Sequence, residues 1–196
     1  MEVAKLRENV KRVAFCGGMD PRGYSAASTL FPDITTEAFP TYEKTYNAVV
    51  KGECEAAVLP FDNSANGEVG KVLDLIFEGD LNMVHTFELK FGDETQRYGV
   101  LSKMECDGNS EKPGFMLMFT VLDEVGALLN AIKAISEHGY NMRIMRSRPL
   151  QGLAWRYYFY VEARGIVDDE NGREMMADLE KACKEVKLVG MYSIID

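Results

Sequence analysis

Short apolar runs alternate with glycine- and proline-marked turns and with stretches of helical period, and this pattern divides the chain into two successive units. Lys11 to Cys16 (KRVAFC) is a compact apolar run that predicts a strand, followed by glycines and a helical pattern over about Ser25 to Phe31. Pro32-Asp33 breaks that helix, ITTEAF suits a second strand, and Thr41 is placed to cap a helix carrying Tyr42, Tyr46, Val49 and Val50, which Gly52 closes. Ala56 to Pro60 (AAVLP) has no polar alternation, as expected of a strand buried on both faces of a parallel sheet. The βαβαβ order implies right-handed crossovers and an α/β layer. Val69, Val72, Leu73 and Ile76 recur at helical spacing up to Gly79-Asp80, and strands near Leu81 to Leu89 and Arg97 to Ser102 flank a reversing GDET.

Residues 105–113 (ECDGNSEKP) are polar and lack apolar period, so they predict a linker between a first domain over 1–104 and a second over 114–196. Beyond it the expected order is strand (Phe115 to Leu122), helix (Gly126 to Glu137), strand (Asn141 to Ser147), strand (Trp155 to Arg164), helix (Arg173 to Val186) and strand (Leu188 to Ile194). This βαββαβ succession is the ferredoxin-like motif, four antiparallel strands with two helices on one face. The expected fold class is therefore α/β followed by α+β.

Composition narrows the function classes. Of 196 residues, 46% are hydrophobic, enough for packed cores. The net charge of −9 is shared, with 11 basic against 17 acidic residues through Glu105 and 11 against 14 beyond, so neither half has the positive field that nucleic acid demands. No apolar run approaches a membrane span and MEVAKLRENVKR lacks a secretory apolar core, so the expectation is a cytoplasmic protein with no membrane partner. Cys16, Cys54, Cys106 and Cys183 form no CxxC pair and read as separate reduced thiols. With only His85 and His138, both read as structural, neither a metal site nor a cofactor is expected.

The second unit carries four ordered motifs within about eighty residues. They are the loop Glu124-Val125-Gly126-Ala127-Leu128, the strand NMRIMRSRP from Asn141 to Pro149, the strand WRYYFYVE from Trp155 to Glu162, and Val189-Gly190-Met191-Tyr192. Together they resemble the ACT domain of prephenate dehydratases, with its GAL loop, ESRP motif and W-x-Y-x-F-x-V-D strand. The resemblance implies that L-phenylalanine, or a related aromatic amino acid, lies between two ACT domains of a homodimer or higher oligomer. It touches the GAL loop of one and the ESRP region of its neighbour. The residues that carry over as effector-binding are Gly126, Ala127, Leu128, Asn141, Ser147, Arg148 and Pro149. Physical chemistry agrees: a glycine lets a ligand approach the backbone, helix-opening amides hold a carboxylate, and Asn141 offers a donor and an acceptor. The plainer reading is a helix start at Gly126 and a strand exit at Arg148-Pro149. One departure is the acidic residue of ESRP, which is Arg146 here and bears on dimer contact or ligand selectivity.

The first unit resembles the front lobe of the dehydratase catalytic region, which implies a single-lobe fold like that of periplasmic binding proteins. NAVVKGECEAAVLPFDNSANGEV (Asn47 to Val69) is similar to the family's AV-x-x-G, apolar strand and P-x-E-N-S pattern, with Asp62, Asn63 and Ser64 at the E-N-S positions. Tyr24-Ser25 fit the end of an earlier glycine-rich loop, here lengthened by Arg22-Gly23. Both loops leave the carboxyl ends of parallel strands, the edge where such sheets bind ligands. The family's second lobe is missing between Leu89 and Arg97, and its T-R-F motif aligns with Gln96-Arg97-Tyr98, with Thr95 adjacent. Ser25, Asn63, Ser64 and Thr95 are the remnant catalytic candidates. Without the lobe, Asn63 and Ser64 are expected to face water, where such donors lose most catalytic value. They then read as a turn and helix cap, and Ser25 as an N-cap.

Three functions follow. The first is a non-catalytic sensor of L-phenylalanine, with an aromatic-pathway enzyme as its client. The second is a prephenate dehydratase, a carbon–oxygen lyase releasing water and carbon dioxide, completed by a partner chain or by dimerisation. The third is a scaffold without ligand.

Overall fold

The computed structural model describes residues 3–105 and 112–193. In chain order the elements are α1 (Val3–Glu8), β1 (Arg12–Cys16), α2 (Gly23–Leu30), β2 (Thr35–Phe39), α3 (Tyr42–Val50), β3 (Ala56–Asn63), β4 (Gly67–Glu68), α4 (Gly70–Glu78), β5 (Asn82–Phe91), β6 (Glu94–Ser102), β7 (Pro113–Thr120), α5 (Ala127–Glu137), β8 (Asn141–Pro149), β9 (Tyr157–Arg164), α6 (Glu170–Ala182) and β10 (Glu185–Ser193).

The N-terminal half is a sheet in the order β2-β1-β3-β6-β5, with β4 paired to β3. β1 is parallel to β2 and β3, whereas β6 runs antiparallel to β3 and β5 antiparallel to β6. Side chains of a strand alternate between faces, and the two helical layers divide accordingly. Val13 and Phe15 of β1 and Ala56 and Val58 of β3 pack with Leu6 of α1 and Ala26, Ala27 and Leu30 of α2. Ala14, Cys16, Ala57 and Leu59 pack with Tyr46 and Val49 of α3 and with Val72, Leu73 and Ile76 of α4. Every residue of β3 is buried, which explains its unbroken apolar run. Thr41 caps α3 by accepting a hydrogen bond from the Lys44 amide.

The C-terminal half is an antiparallel sheet in the order β10-β7-β9-β8, so β8 is an edge strand. Phe115, Leu117 and Phe119 of β7 face α5 and α6. Met116 and Met118 of the same strand, with Tyr158, Tyr160 and Val189, join the core that holds α4. This sheet is thus covered on both faces, by its own helices and by the N-terminal half. Tyr158 stacks on Phe77 of α4 at 4.4 Å. Gly190 of β10 lies so close to β5 that an added Cβ would overlap the Met83 backbone. Helix α4 is also held at both ends from the C-terminal half. Lys187 donates to the carbonyls of Ile76, Phe77 and Gly79 at its carboxyl end, and Arg148 lies over Gly70 at its start.

Several boundaries differ from expectation. Helix α1 and the bridge strand β4 carry too few residues for a periodic signal. The strand expected from Trp155 begins at Tyr157, because Trp155 occupies a turn with φ +60. The last helix runs Glu170–Ala182, and Val186 lies in β10. Strand β3 continues to Asn63, so Asp62 and Asn63 belong to the sheet, paired with Arg97 and Gln96 of β6. Pro113 is already part of β7, while the rest of the expected linker beyond Glu105 is Lys112 or lies outside the described residues, as do Cys106 and Ile194.

Candidate functional site

Two regions gather the residues singled out in the sequence. At the start of α5, Gly126 has φ +85, a left-handed conformation that a side chain resists, and its N-cap position has no side-chain cap. Nothing lies within 4 Å of where a Cβ would project, so the loop is open. The Ala127 amide donates to Glu124 O at 3.2 Å, whereas Leu128 and Leu129 follow in the first helical turn, where no preceding turn of helix supplies carbonyls. Phe119 of β7 is level with Phe159 of β9 and with Ser147 of β8, which puts Ser147, Arg148 and Pro149 at the sheet end that bears this loop. Asn141 pairs with Arg164 at the opposite end. Within one chain Asn141 is therefore separated from the other residues expected to bind an effector.

Beside the loop opens a depression of about 630 Å³ lined by Leu122, Leu150, Leu153, Trp155, Tyr157 and Phe159, with Asp123 and Arg156 paired at 3.9 Å. Trp155 is 88% exposed there. On β8, Ser147 and Pro149 are exposed, but Arg148, expected to bind an effector, turns inward. Its Nε donates to Asp74 Oδ1 at 3.1 Å and to the Tyr158 hydroxyl at 3.1 Å, and Tyr158 in turn donates to Asp74 at 2.7 Å. Burial pushes the Asp74 pKa up, but hydrogen bonds from Arg148, Tyr158 and Gln151 outweigh it and hold the carboxyl below its ordinary value.

The second region surrounds the remnant catalytic motifs. Asn63 donates to Gln96 Oε1 at 3.0 Å, and its own oxygen accepts from the Ala65 and Asn66 amides at 2.9 Å each. It is 8% exposed, so it does not face water as expected, because Gln96 and the following turn enclose it. Ser64 forms the turn and accepts from the Thr95 amide at 2.9 Å, while its amide donates to Thr95 O. Asn63 thus makes the expected turn, but neither residue caps a helix, since β4 intervenes and α4 starts after Val69. Ser25 lies inside α2, whose N-cap position is Arg22, and is no cap either. Asn63, Ser64 and Thr95 come together: Asn63 is held by Gln96 and its own turn, while Ser64, exposed to water as expected, is bonded to the Thr95 backbone.

The glycine-containing loop before α2 and the β5–β6 hairpin meet each other. Arg22 pairs with Glu94 at 3.1 Å and covers the Phe91 ring at 4.4 Å, near the hairpin tip. Tyr98 donates to Asp20 at 3.2 Å, and burial raises the Asp20 pKa against the hydrogen bonds from Arg22 and Tyr98.

Arg146, the departure within the ESRP motif, reaches across to the N-terminal half. Its Nη1 lies 3.2 Å from Asp62 and 2.7 Å from Glu68. A buried acid, Glu162, accepts from Arg97 at 2.7 Å, Tyr192 at 2.9 Å and Arg143 at 3.4 Å. These pairs line a cleft of about 430 Å³ that also contains Asn63, Ser64 and Thr95. Sequence reasoning missed Arg143, Glu162 and Glu88. The available signal was an acid, Glu162, closing the apolar and aromatic stretch YYFYV.

Residues 13–92 match the family model of prephenate dehydratase. Over 102 residues the chain is 31% identical to the bifunctional chorismate mutase/prephenate dehydratase of Aquifex aeolicus (strain VF5), a match spanning 52% of this chain and 28% of that enzyme. The fold is that of the Arthrobacter aurescens prephenate dehydratase solved in complex with L-Phe, with TM-score 0.80 and 16% identity over 93% of this chain and 90% of that one. GqqA, described as a novel type of quorum quenching acylase, superimposes with TM-score 0.80 and 25% identity over 94% of this chain and 96% of that one.

Proposed function

On the premise that this chain is related to the prephenate dehydratases, we propose that it binds L-phenylalanine, or a related aromatic amino acid, through its C-terminal half. In this reading that half is an ACT regulatory domain and the chain performs no dehydration by itself. The observation that carries the reading is the open start of α5: a left-handed glycine with vacant space before it, helix-opening amides behind it, and an apolar depression beside it. Amides at a helix start suit a carboxylate, and the aromatic wall suits a phenyl ring.

A dimer completes the set. Two β8 edge strands pairing antiparallel about a twofold axis would bring Asn141 of one protomer to the sheet end that carries the Gly126 loop in the other. The absence of dehydration is supported by Asn63, whose amide and carbonyl are both taken within the protein. In calorimetry L-phenylalanine should give saturable heat and a shift toward dimer on ultracentrifugation, with no phenylpyruvate formed from prephenate. Absence of binding at millimolar ligand removes the reading. Turnover that Ser64→Ala abolishes would instead establish a dehydratase.

A second reading rests on the likeness to GqqA along nearly all of both chains, at 25% identity. In it the chain hydrolyses an acylated quorum signal, and the cleft with Ser64, Thr95, Asp62 and Glu88 is where water adds to the acyl carbon. Release of free amine from an N-acyl homoserine lactone decides this reading, and no release refutes it.

A further inference from the structure

The depression beside the Gly126 loop is longer than a phenyl ring requires. Its wall runs from Lys184, just before β10, past Thr120 at the end of β7 and Phe159 and Tyr157 in β9, to Leu150 and Leu153 in the β8–β9 turn. β10, β7 and β9 are successive neighbours in the sheet, with β8 beyond them. Neighbouring strands lie about 4.8 Å apart, so the trough crosses roughly 10–14 Å. Its two ends differ. At one, Leu153 is 57% exposed and Trp155 stands almost free. At the other is the exposed Lys184, whose ammonium enters no ion pair among the described residues. The remaining charges of the wall are placed elsewhere: Asp123 pairs with Arg156, Glu185 favours the charged form of Lys187, and Glu124 is exposed on the loop.

We propose that this trough takes a linear amphiphile, a medium-chain carboxylate, with its carboxylate at Lys184 and its chain laid across β7 and β9 toward Leu153 and Trp155. A stretched chain advances roughly 1.2 Å per bond, a third of the length of an extended residue, so about eight to ten carbons fill the span. The volume of about 630 Å³ and a mainly apolar wall with a few polar groups at one end are the usual make-up of a small-molecule pocket. Covering the exposed Leu122, Leu153 and Trp155 removes apolar surface from water, which is the main driving force for such a ligand. An acyl chain has no polar group to desolvate, so it suits this wall better than a protein segment, whose amides and carbonyls would need partners there. The chain and an aromatic ring would share part of the wall and compete for it, but the proposal does not rest on aromatic amino-acid binding at Gly126.

The test is calorimetry on the full-length protein with hexanoate, octanoate and decanoate below their micellar range, and with methyl octanoate as a chain without the charge. The carboxylates give saturable heat, and affinity rises about fivefold or more for each two-carbon step, part of the roughly fifteenfold that complete burial of two CH₂ groups gives. Methyl octanoate binds more weakly than octanoate. Lys184→Gln weakens every chain by about twofold to fivefold, as expected for an exposed ion pair, and leaves the steps between lengths unchanged. Leu153→Ser shrinks the step from octanoate to decanoate and leaves hexanoate as in the parent. Circular dichroism confirms each variant's fold. The proposal is overturned if no carboxylate binds, if affinity does not rise with length, or if folded Leu153→Ser keeps the parent's steps. A dimer on ultracentrifugation that Leu153→Ser dissociates and decanoate does not would assign the trough to a second copy of the chain, and overturns it as well. L-phenylalanine is titrated separately: its binding without carboxylate binding sinks this proposal alone, and the reverse sinks the aromatic reading alone.

Discussion

Removing the Asp74 side chain should loosen the junction between the two halves measurably. In Asp74→Ala, Arg148 loses contacts at 3.1 and 3.4 Å, Tyr158 loses an acceptor at 2.7 Å and Gln151 loses one at 3.0 Å. Breaking a fully buried ion pair costs about 3–5 kcal/mol. Here the Arg148 side chain is 19% exposed and keeps Glu68 at 3.8 Å, so water and a second carboxylate offset part of the loss. The expected destabilisation is about 2–3 kcal/mol, read as a lower urea midpoint and a Tm lowered by roughly 4–10 °C. A double-mutant cycle with Arg148→Ala should return a coupling of about 1–3 kcal/mol. A change below about 0.5 kcal/mol in Asp74→Ala, or strict additivity in the cycle, would refute the claim that this pair fastens β8 to α4.

Other outcomes follow from the same geometry. Gly126→Ala meets no steric obstacle but must hold φ +85, so it should lower stability by about 1–2 kcal/mol by thermal denaturation and weaken L-phenylalanine binding, with Gly126→Asn milder. Gly70→Ala should destabilise the parent because its Cβ would overlap the Arg148 guanidinium. In an Arg148→Ala background the same change should be neutral or stabilising by up to about 1 kcal/mol, checked by urea unfolding. Asp74 and Glu68 both have lowered pKa values, Glu68 because hydrogen bonds and the charges of Arg146 and Arg148 outweigh its burial. Their contribution is present above the ordinary carboxyl range and is lost as pH falls through the lowered folded values, so pH-dependent melting should show a decline on the acid side that Asp74→Asn reduces. His138 is shifted the other way, raised by its hydrogen bond to Asp178. Its contribution is complete below the ordinary histidine value and disappears as pH rises through the raised one, so the Tm gap to His138→Gln should close on the alkaline side.

The periodic elements were readable because each buries one defined stripe or face. The unalternating apolar run of β3 predicts a strand covered on both faces, and the βαββαβ succession predicts the second sheet. The signal for its doubly covered state is the unbroken apolar run of β7 (GFMLMF), but a polar linker ahead of it gives no sign that the halves touch. What remained illegible depends on partners distant in sequence. Arg146 stands out in the chain only as a departure from a motif, and its meaning comes from Asp62 and Glu68, some eighty residues earlier. The missing lobe makes exposure of Asn63 the expectation, but Gln96 encloses it through a strand pairing that spacing alone does not reveal. The Gly126 loop was readable because its requirement is local, a backbone conformation that one residue type tolerates well.

Amide-resolved NMR during titration with L-phenylalanine reports directly on the open end of α5. Saturable shifts of the Leu128 and Leu129 amides, accompanied by the Asn141 side-chain amide, are the predicted result. Shifts confined to Asn63, Ser64 and Thr95, or a spectrum that does not change, would contradict the assignment of that helix start as the place where the ligand's carboxylate is held.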